Sequence, residues 1–291
     1  MKILITGSQG QVAWDLLRVA DSKKHEIFSF GRDTLDITDP LLVDQAIETI
    51  RPHLVMNVAA YTQVDKAEDE VERAFAVNHE GAKNLAIACE KARIPLLHVS
   101  TDYVFDGKQN HPYVETDEIN PLGIYGKSKW EGEQAVRHNC ERHIILRVSA
   151  VFGSHGQNFV KTMIRLARDK EILRVVSNQI TCPTSAADIA KLLWDLSEKT
   201  QAQAAWGTYH FCGKTPISWY EFANIIIEQA KAYFPLRNQQ IVPIPSSEYT
   251  TRAERPQYSV LDCHKLEKFF SVEQPSWELG LADVMQQLLK S

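Results

Sequence analysis

Three observations predict an α/β fold built on a doubly wound parallel sheet. Short apolar runs of strand character alternate with amphipathic helical stretches four times in the first half of the chain. A glycine turn, Gly7-Ser8-Gln9-Gly10, follows the first run directly. Gly7, Gly31, Ala59 and Thr101 all fall at the carboxyl ends of expected strands, the rim where such sheets bind ligands.

Lys2-Ile3-Leu4-Ile5-Thr6 reads as a buried first strand, and an amphipathic helix runs from the glycine turn to about Val19. Gly7, Gly10, Gln11 and Val12 are the expected pyrophosphate cradle, because glycine lets the backbone approach and a helix N-terminus is positive. The spacing is G-x-x-G-x-x-A, with Ala13 in the third place, a departure of one methyl. On its own such a pattern is a turn as often as a phosphate site. A strand before it and a helix after it make it Rossmann-type.

The second strand, Glu26–Phe30, ends in Gly31-Arg32. An acid there would hold the adenosine ribose and favour NAD, whereas Arg32 favours the extra phosphate of NADP. NADPH is the expected cofactor; neighbouring Asp33 keeps NADH as the alternative. Asp36 and Ile37 are expected beside the adenine. Asp39-Pro40 has the form of an N-cap and first-turn proline for a helix Leu41–Ile50. After the third strand, Leu54–Val58, the small residues Ala59 and Ala60, with Tyr61, let a cofactor lie against the backbone. Thr62 and Val64 are assigned to substrate, and the charges of Gln63–Glu68 to solvated surface. Asn78 falls inside an expected helix Val71–Lys91, where a solvated polar residue is the ordinary outcome. His98 belongs to the fourth apolar run, Ile94–Val99, and reads as a satisfied core group.

Chemistry points to Tyr125-Gly126-Lys127-Ser128-Lys129 and to Ser100-Thr101-Asp102. Tyr125 and Lys129 share a helical face at this spacing. A phenol titrates near 10, and a neighbouring ammonium is expected to lower that value toward acid–base use. Thr101, at the mouth of the fourth strand, is placed to hold a substrate carbonyl. The Tyr-x-x-x-Lys spacing alone is weak evidence: Tyr233 and Arg237 come close to repeating it. Its place after a nucleotide-binding start gives it weight.

At 291 residues, 44% hydrophobic and 24% charged, the chain suits a globular protein of two lobes. Residues 1–152 are expected to form the NADP-binding domain and 153–291 mainly the substrate lobe, with later segments returning to the sheet. A net charge of −5 gives no footprint for nucleic acid or anionic membrane. The opening apolar run stops at Gly7, too short for a signal h-region or a membrane span. Five scattered cysteines without C-x-x-C read as reduced thiols, so a cytoplasmic location is expected. No H-E-x-x-H or clustered Cys/His spacing supports zinc.

The second half is less regular. A helix is expected over Asn158–Lys170, a turn at Thr181–Thr184 before a helix Ala186–Ser197, and a strand at Gly207–Cys212. Ser218 and Glu221 have capping-box spacing for a helix to about Ala232, with Trp219, Tyr220 and Phe222 read as core. Trp277–Lys290 closes the chain. Arg252, Arg255 and Lys265 are candidates for a substrate pyrophosphate; Arg255 is preferred because Pro256 fixes the adjacent backbone.

The ordered set of motifs resembles the extended short-chain dehydrogenase/reductases, and more narrowly the dTDP-4-dehydrorhamnose reductase family. The similar stretches are Gly7-x-x-Gly10-Gln11-Val12, Asn57-Val58-Ala59-Ala60-Tyr61-Thr62-x-Val64-Asp65-x-Ala67-Glu68, Ser100–Gly107 and Tyr125-Gly126-x-x-Lys129. Asn158-Phe159-x-Lys161-Thr162-Met163, Pro183-Thr184 and Arg255-Pro256 continue it, so the resemblance covers nearly the whole chain. It implies reduction of the 4-keto group of dTDP-6-deoxy-L-lyxo-4-hexulose to dTDP-L-rhamnose by hydride from NADPH. It implies Tyr125 as proton donor, Lys129 on the nicotinamide ribose, Thr101 on the carbonyl and Asp102 on the sugar. Asn78 matches the helix asparagine near the lysine, and Asn158 is carried over as a substrate contact. A monomer or weak homodimer is expected.

Two positions depart from the family pattern. Ala150 stands in Arg147-Val148-Ser149-Ala150-Val151-Phe152-Gly153 where the family commonly has a tryptophan over the sugar. Metal in family dimers is associated with acids on terminal helices; here Gln286 and Gln287 are poor ligands for a hard cation, so no metal is expected even though Asp15 could serve. The alternatives are a sugar-nucleotide 4,6-dehydratase or epimerase, and a non-catalytic subunit similar to the methionine adenosyltransferase beta subunit. A dehydratase usually needs an extra acid beside the threonine, and Tyr103 follows Asp102 instead.

Overall fold

A computed structural model describes residues 1–20, 24–202 and 205–290. The chain begins with β1 (Lys2–Thr6), α1 (Gln11–Val19), β2 (Glu26–Phe30), α2 (Pro40–Ile50) and β3 (Leu54–Asn57). It continues through α3 (Val64–Ala67), α4 (Val71–Phe75), a π-helical turn (Ala76–Glu80), α5 (Gly81–Ala92), β4 (Leu96–Thr101), α6 (Ile124–Asn139) and β5 (His143–Val148). The cap foreseen for α2 is present: Asp39 accepts hydrogen bonds from Leu41 N–H and Leu42 N–H, with Pro40 in the first turn.

Six parallel strands form the central sheet, in the order Gly207–Phe211, β5, β4, β3, β1, β2. Strand order reverses at β1, whose neighbours β2 and β3 lie on opposite sides; the crevice beyond that reversal is where open α/β sheets hold ligands. The sixth strand comes from the second half of the chain and pairs in register with β5. Both faces are covered. One apolar cluster sets β1, β3 and β5 against α1 and the helix Ala186–Ala202, and the other sets them against α2, α5 and α6.

The remaining chain supplies a separate apolar cluster from the helices Phe159–Asp169, Trp219–Lys231 and Trp277–Lys290. Phe222 is fully buried in it, with Trp219 and Tyr220 packed alongside, and Ser218 and Glu221 form the reciprocal capping box. Among the described residues no helix is long and apolar enough to cross a membrane.

The expected single helix Val71–Lys91 is three pieces. The wide turn at Ala76–Glu80 lies where α6 crosses closely, with the Asn78 carbonyl 2.0 Å from where a Cβ on Gly132 would sit. Such π-turns often mark functional positions in helices.

Beneath the sheet's rim α6 is pinned by a buried charge network. Arg147 on β5 donates to both oxygens of Glu133 on α6, at 2.9 and 2.7 Å; Arg137 adds 2.8 Å, and the Ser100 hydroxyl 2.6 Å. Burial works against the Glu133 carboxylate, but the two guanidinium groups outweigh it and hold its pKa below the usual range. Removing one partner of such a pair leaves a charge uncompensated in low dielectric. Arg147→Met is therefore expected to cost roughly 3–5 kcal/mol in urea denaturation. A loss under about 1 kcal/mol would show that Arg137 alone neutralises Glu133.

Candidate active site

The glycine turn sits at the strand reversal. Gly7 has φ +80°, and a Cβ there would lie 2.6 Å from the Ala59 Cα, so only glycine lets the β1 and β3 ends close. Gly10 caps α1 without any side-chain hydrogen bond. The first N–H groups of α1 therefore lack an intrachain cap and face the rim, a cradle that fits a dinucleotide pyrophosphate. The Gln11 side chain donates to the Val151 carbonyl (3.4 Å) and accepts from Asn158 (3.3 Å), tying this turn to the second half of the chain.

Behind the turn Asn57 links three strands. Its Oδ1 accepts from Thr6 (2.7 Å) and Ala59 N–H (3.1 Å), and its amide donates to His98 Nδ1 (2.9 Å). His98 is only half satisfied, since among the described residues its Nε2 has no partner. Burial holds this imidazole well below its usual pKa, so it is neutral.

Arg32 lies exposed past β2 and forms a 3.6 Å ion pair with Asp36. Asp36 also accepts from Thr38 N–H (3.0 Å) and its hydroxyl (2.8 Å), while Ile37 is buried. At the end of β3, Ala59 and Ala60 are half-buried, Tyr61 is buried, Thr62 is exposed, and Val64 begins α3.

Tyr125, Lys129, Thr101 and Asp102 come together at the tip of β4. The Tyr125 phenol lies beside the Thr101 hydroxyl and meets Tyr103 edge to face at 5.7 Å. Lys129 is buried and donates to the Val99 carbonyl at 2.7 Å. Gly126 makes this packing feasible, because a Cβ there would lie 2.1 Å from the Tyr103 carbonyl.

Thr101 donates to Asp102 Oδ1 (3.0 Å) and Ser149 to Asp102 Oδ2 (2.8 Å). Ser149 also meets Thr181 at 2.9 Å, and Thr181 accepts from Ser259 at 3.3 Å. Ser149 lies in the Arg147–Gly153 stretch and Thr181 opens the Thr181–Thr184 turn, but neither they nor Ser259 are singled out by local pattern, because their meeting at Asp102 joins segments far apart in the sequence. Ala150, which follows Ser149, adopts a left-handed φ of +42° as the chain leaves the sheet.

Several expectations are corrected. The Tyr125 phenol is not lowered: burial pushes it up to about 12, hydrogen bonding from Thr101 opposes this, and the Asp102 charge adds to it. The ammonium meant to lower it is turned onto Val99, and its own desolvation brings Lys129 down to about 8 against the pull of Glu133. Asn78 is buried, not solvated. It accepts from Tyr61 N–H (2.8 Å) and donates to the Tyr61 carbonyl (3.1 Å) and Ser128 (2.9 Å); Ser128 in turn donates to the Tyr125 carbonyl (2.9 Å).

The Gln63–Glu68 charges are not free surface either. Glu68 accepts from Ile124 N–H at 2.8 Å, capping the helix that carries Tyr125, and Asp65 accepts from Arg255 at 2.7 Å. Arg255 thus reaches the rim, where its charge lies near the Tyr103 phenol. Arg252 pairs with Asp69 at 3.3 Å. Lys265 stands away from the rim, donating to the Thr208 carbonyl at 2.8 Å. Asn158 caps its helix by accepting from Lys161 N–H (3.1 Å) and donates to the Gly153 carbonyl (2.8 Å), so its amide is already committed.

A nucleotide cradle at the strand reversal and a tyrosine–lysine–threonine group on the same rim define a short-chain dehydrogenase/reductase. Residues 1–290 match the family described as RmlD substrate binding domain. A dTDP-4-dehydrorhamnose reductase of Aggregatibacter actinomycetemcomitans is 42% identical over 97% of this chain and 98% of its own. The crystal structure of a dTDP-4-dehydrorhamnose reductase from Bacillus anthracis in complex with NADP is similar at TM-score 0.91 and 36% identity, covering 98% of this chain and 99% of that one. One from Clostridium acetobutylicum gives TM-score 0.93 at 35% identity, covering 99% of each. The chain belongs to the dTDP-4-dehydrorhamnose reductase family.

Burial raises the Asp102 carboxyl to about 6 despite the hydroxyls of Ser259, Ser149 and Thr101 beside it, the last two of which donate to it. An acid whose folded pKa exceeds its unfolded value binds its proton more tightly in the native state. It therefore favours folding at low pH and loses that contribution as pH rises from about 4 to about 6. The loss amounts to about 3 kcal/mol. Asp102→Asn should flatten that part of the stability profile, measured by urea denaturation at both ends of the window. An unchanged slope would mean that Asp102 titrates normally.

Proposed function

We propose that this chain reduces the 4-keto group of dTDP-6-deoxy-L-lyxo-4-hexulose to dTDP-L-rhamnose with NADPH. The observation that carries the reading is the convergence of Tyr125, Thr101 and Lys129 beside the nucleotide cradle, in a chain of this family from end to end.

When bound, the nicotinamide supplies hydride to the carbonyl carbon. Gly7, Gly10, Gln11 and Val12 hold the pyrophosphate through backbone N–H groups and the α1 terminus. Arg32 meets the 2′-phosphate, with its Asp36 pair opened or shared; Asp36 and Ile37 flank the adenine, and Ala59, Ala60 and Tyr61 form the wall. Lys129 has two further N–H donors beyond the one on Val99, and these serve the ribose hydroxyls. Thr101 orients the substrate carbonyl, and Tyr125 gives its proton to the oxygen as negative charge develops there. A phenol held at about 12 keeps that proton at neutral pH, as a donor must. Asp102 anchors the sugar, Arg255 faces the diphosphate, and Thr62 and Val64 line the substrate side. Asn78 is a positioning residue, since it joins the Tyr61 loop to the Tyr125 helix. Five free thiols suit a reducing cytoplasm.

The direct test follows reduced-nicotinamide absorbance with the keto-sugar nucleotide supplied. Consumption of NADPH only when the keto-sugar is present supports the reading. Tight NADPH binding with no turnover on any 4-keto sugar nucleotide would replace it with a cofactor-holding subunit. Tyr125→Phe is expected to lower kcat by about 100-fold or more while NADPH affinity, measured by fluorescence titration, stays within a few-fold. Near-normal turnover would remove Tyr125 from the donor role. Arg32→Asp should move the NADPH-to-NADH ratio of kcat/KM toward NADH by at least about tenfold. An unchanged ratio would place the 2′-phosphate elsewhere.

A further inference from the structure

Three of the five cysteines, separated widely in sequence, meet in one apolar cluster that also holds Val104 and Phe105. Cys182 precedes Pro183, Cys212 directly follows the sixth sheet strand, and Cys263 is the N-cap of the helix His264–Phe270. All three are buried and reduced. The Cys212 and Cys263 sulfurs are 3.8 Å apart, and Cys182 lies in the same cluster. Gln274 donates to the Cys212 sulfur at 3.5 Å. A cavity of about 170 Å³ opens beside them, walled by Cys182, Cys263, Pro112, Pro216 and Gln274. That space exceeds several times the roughly 30 Å³ share of one water, so a small oxidant fits within it.

We propose that Cys212 and Cys263 form an oxidation site, at which a hydroperoxide converts the two thiols into a disulfide. The Cys263 sulfur, on the cavity wall, attacks the peroxide O–O bond, giving a sulfenic acid and one water when hydrogen peroxide is the oxidant. The Cys212 sulfur then attacks the Cys263 sulfur and expels hydroxide, which leaves with the Cys212 proton as a second water. Two thiol hydrogens and two electrons pass to the peroxide, and one S–S bond forms. The sulfurs must close from 3.8 Å to the roughly 2.0 Å of a disulfide, a distance that side-chain rotation and a small backbone shift can cover. The Cys212 contact and burial push the Cys263 thiol up, which makes its attack on the peroxide slow, whereas contacts from Cys182, Cys263 and Gln274 hold the Cys212 thiol below its usual pKa and favour it as the resolving nucleophile. Cys89 and Cys140, in the other half of the protein, lack such a cavity among those described.

The test uses the full native chain. After hydrogen peroxide treatment and alkylation, thiols counted in denaturant should fall from five to three. A non-reduced digest should contain a peptide linking Cys212 to Cys263 that disappears on reduction. Cys140→Ser should leave that linked peptide in place, and Cys263→Ser should abolish it. If Cys263→Ser does not fold, the digest of the unaltered chain decides alone. Five thiols remaining after treatment would overturn the proposal, as would a bridge between Cys89 and Cys140 or one between chains. None of these readings depends on the reductase activity.

Discussion

The docking of α6 on the end of β4 is the constraint on which the site depends. Two successive turns of the helix touch two successive strand residues: Lys129 donates to the Val99 carbonyl, and Ser100 donates to Glu133. The helix must come close for this, and Gly126 and Gly132 remove the side chains that would prevent it. A lysine and a glutamate buried at such a seam are costly unless their charges are balanced. Arg147 and Arg137 neutralise Glu133, and Glu133 in turn offsets part of the cost of burying Lys129. Tyr125, one turn earlier on the same helix, is thereby held against Thr101. Stability and chemistry share one set of contacts.

Local pattern carried the first half of the chain well. β1, α1, β2 and the Asp39-Pro40 cap were legible because each depends on a few neighbouring residues. The glycine turn was legible for the same reason, although its true constraint, the Ala59 backbone against Gly7, lies across the sheet. What local pattern missed was long-range. Asn78 looked like a surface residue in a helix, yet its partners are Tyr61 and Ser128. Asp65 and Glu68 looked solvated, yet they fasten Arg255 and the start of α6. The tyrosine–lysine spacing correctly placed both side chains on one helix. It could not reveal that the amine would turn to a strand carbonyl and leave burial to set the phenol's pKa.

The second half supplies the other wall of the site through scattered hydroxyls. Ser149, Thr181 and Ser259 come from three separate segments and converge behind Asp102. They lower a carboxyl that burial alone would raise further, so the group titrates near neutrality. Ala150 follows Ser149 in a left-handed turn at φ +42°.

A crystal structure of this chain with NADP+ bound would test the α6–β4 arrangement most directly. The account predicts a Tyr125 hydroxyl still beside Thr101, a Lys129 amine still on the Val99 carbonyl, and cofactor ribose hydroxyls within hydrogen-bond reach of that amine. A Lys129 side chain withdrawn into the Glu133 network, with the phenol turned out of the crevice, would contradict it.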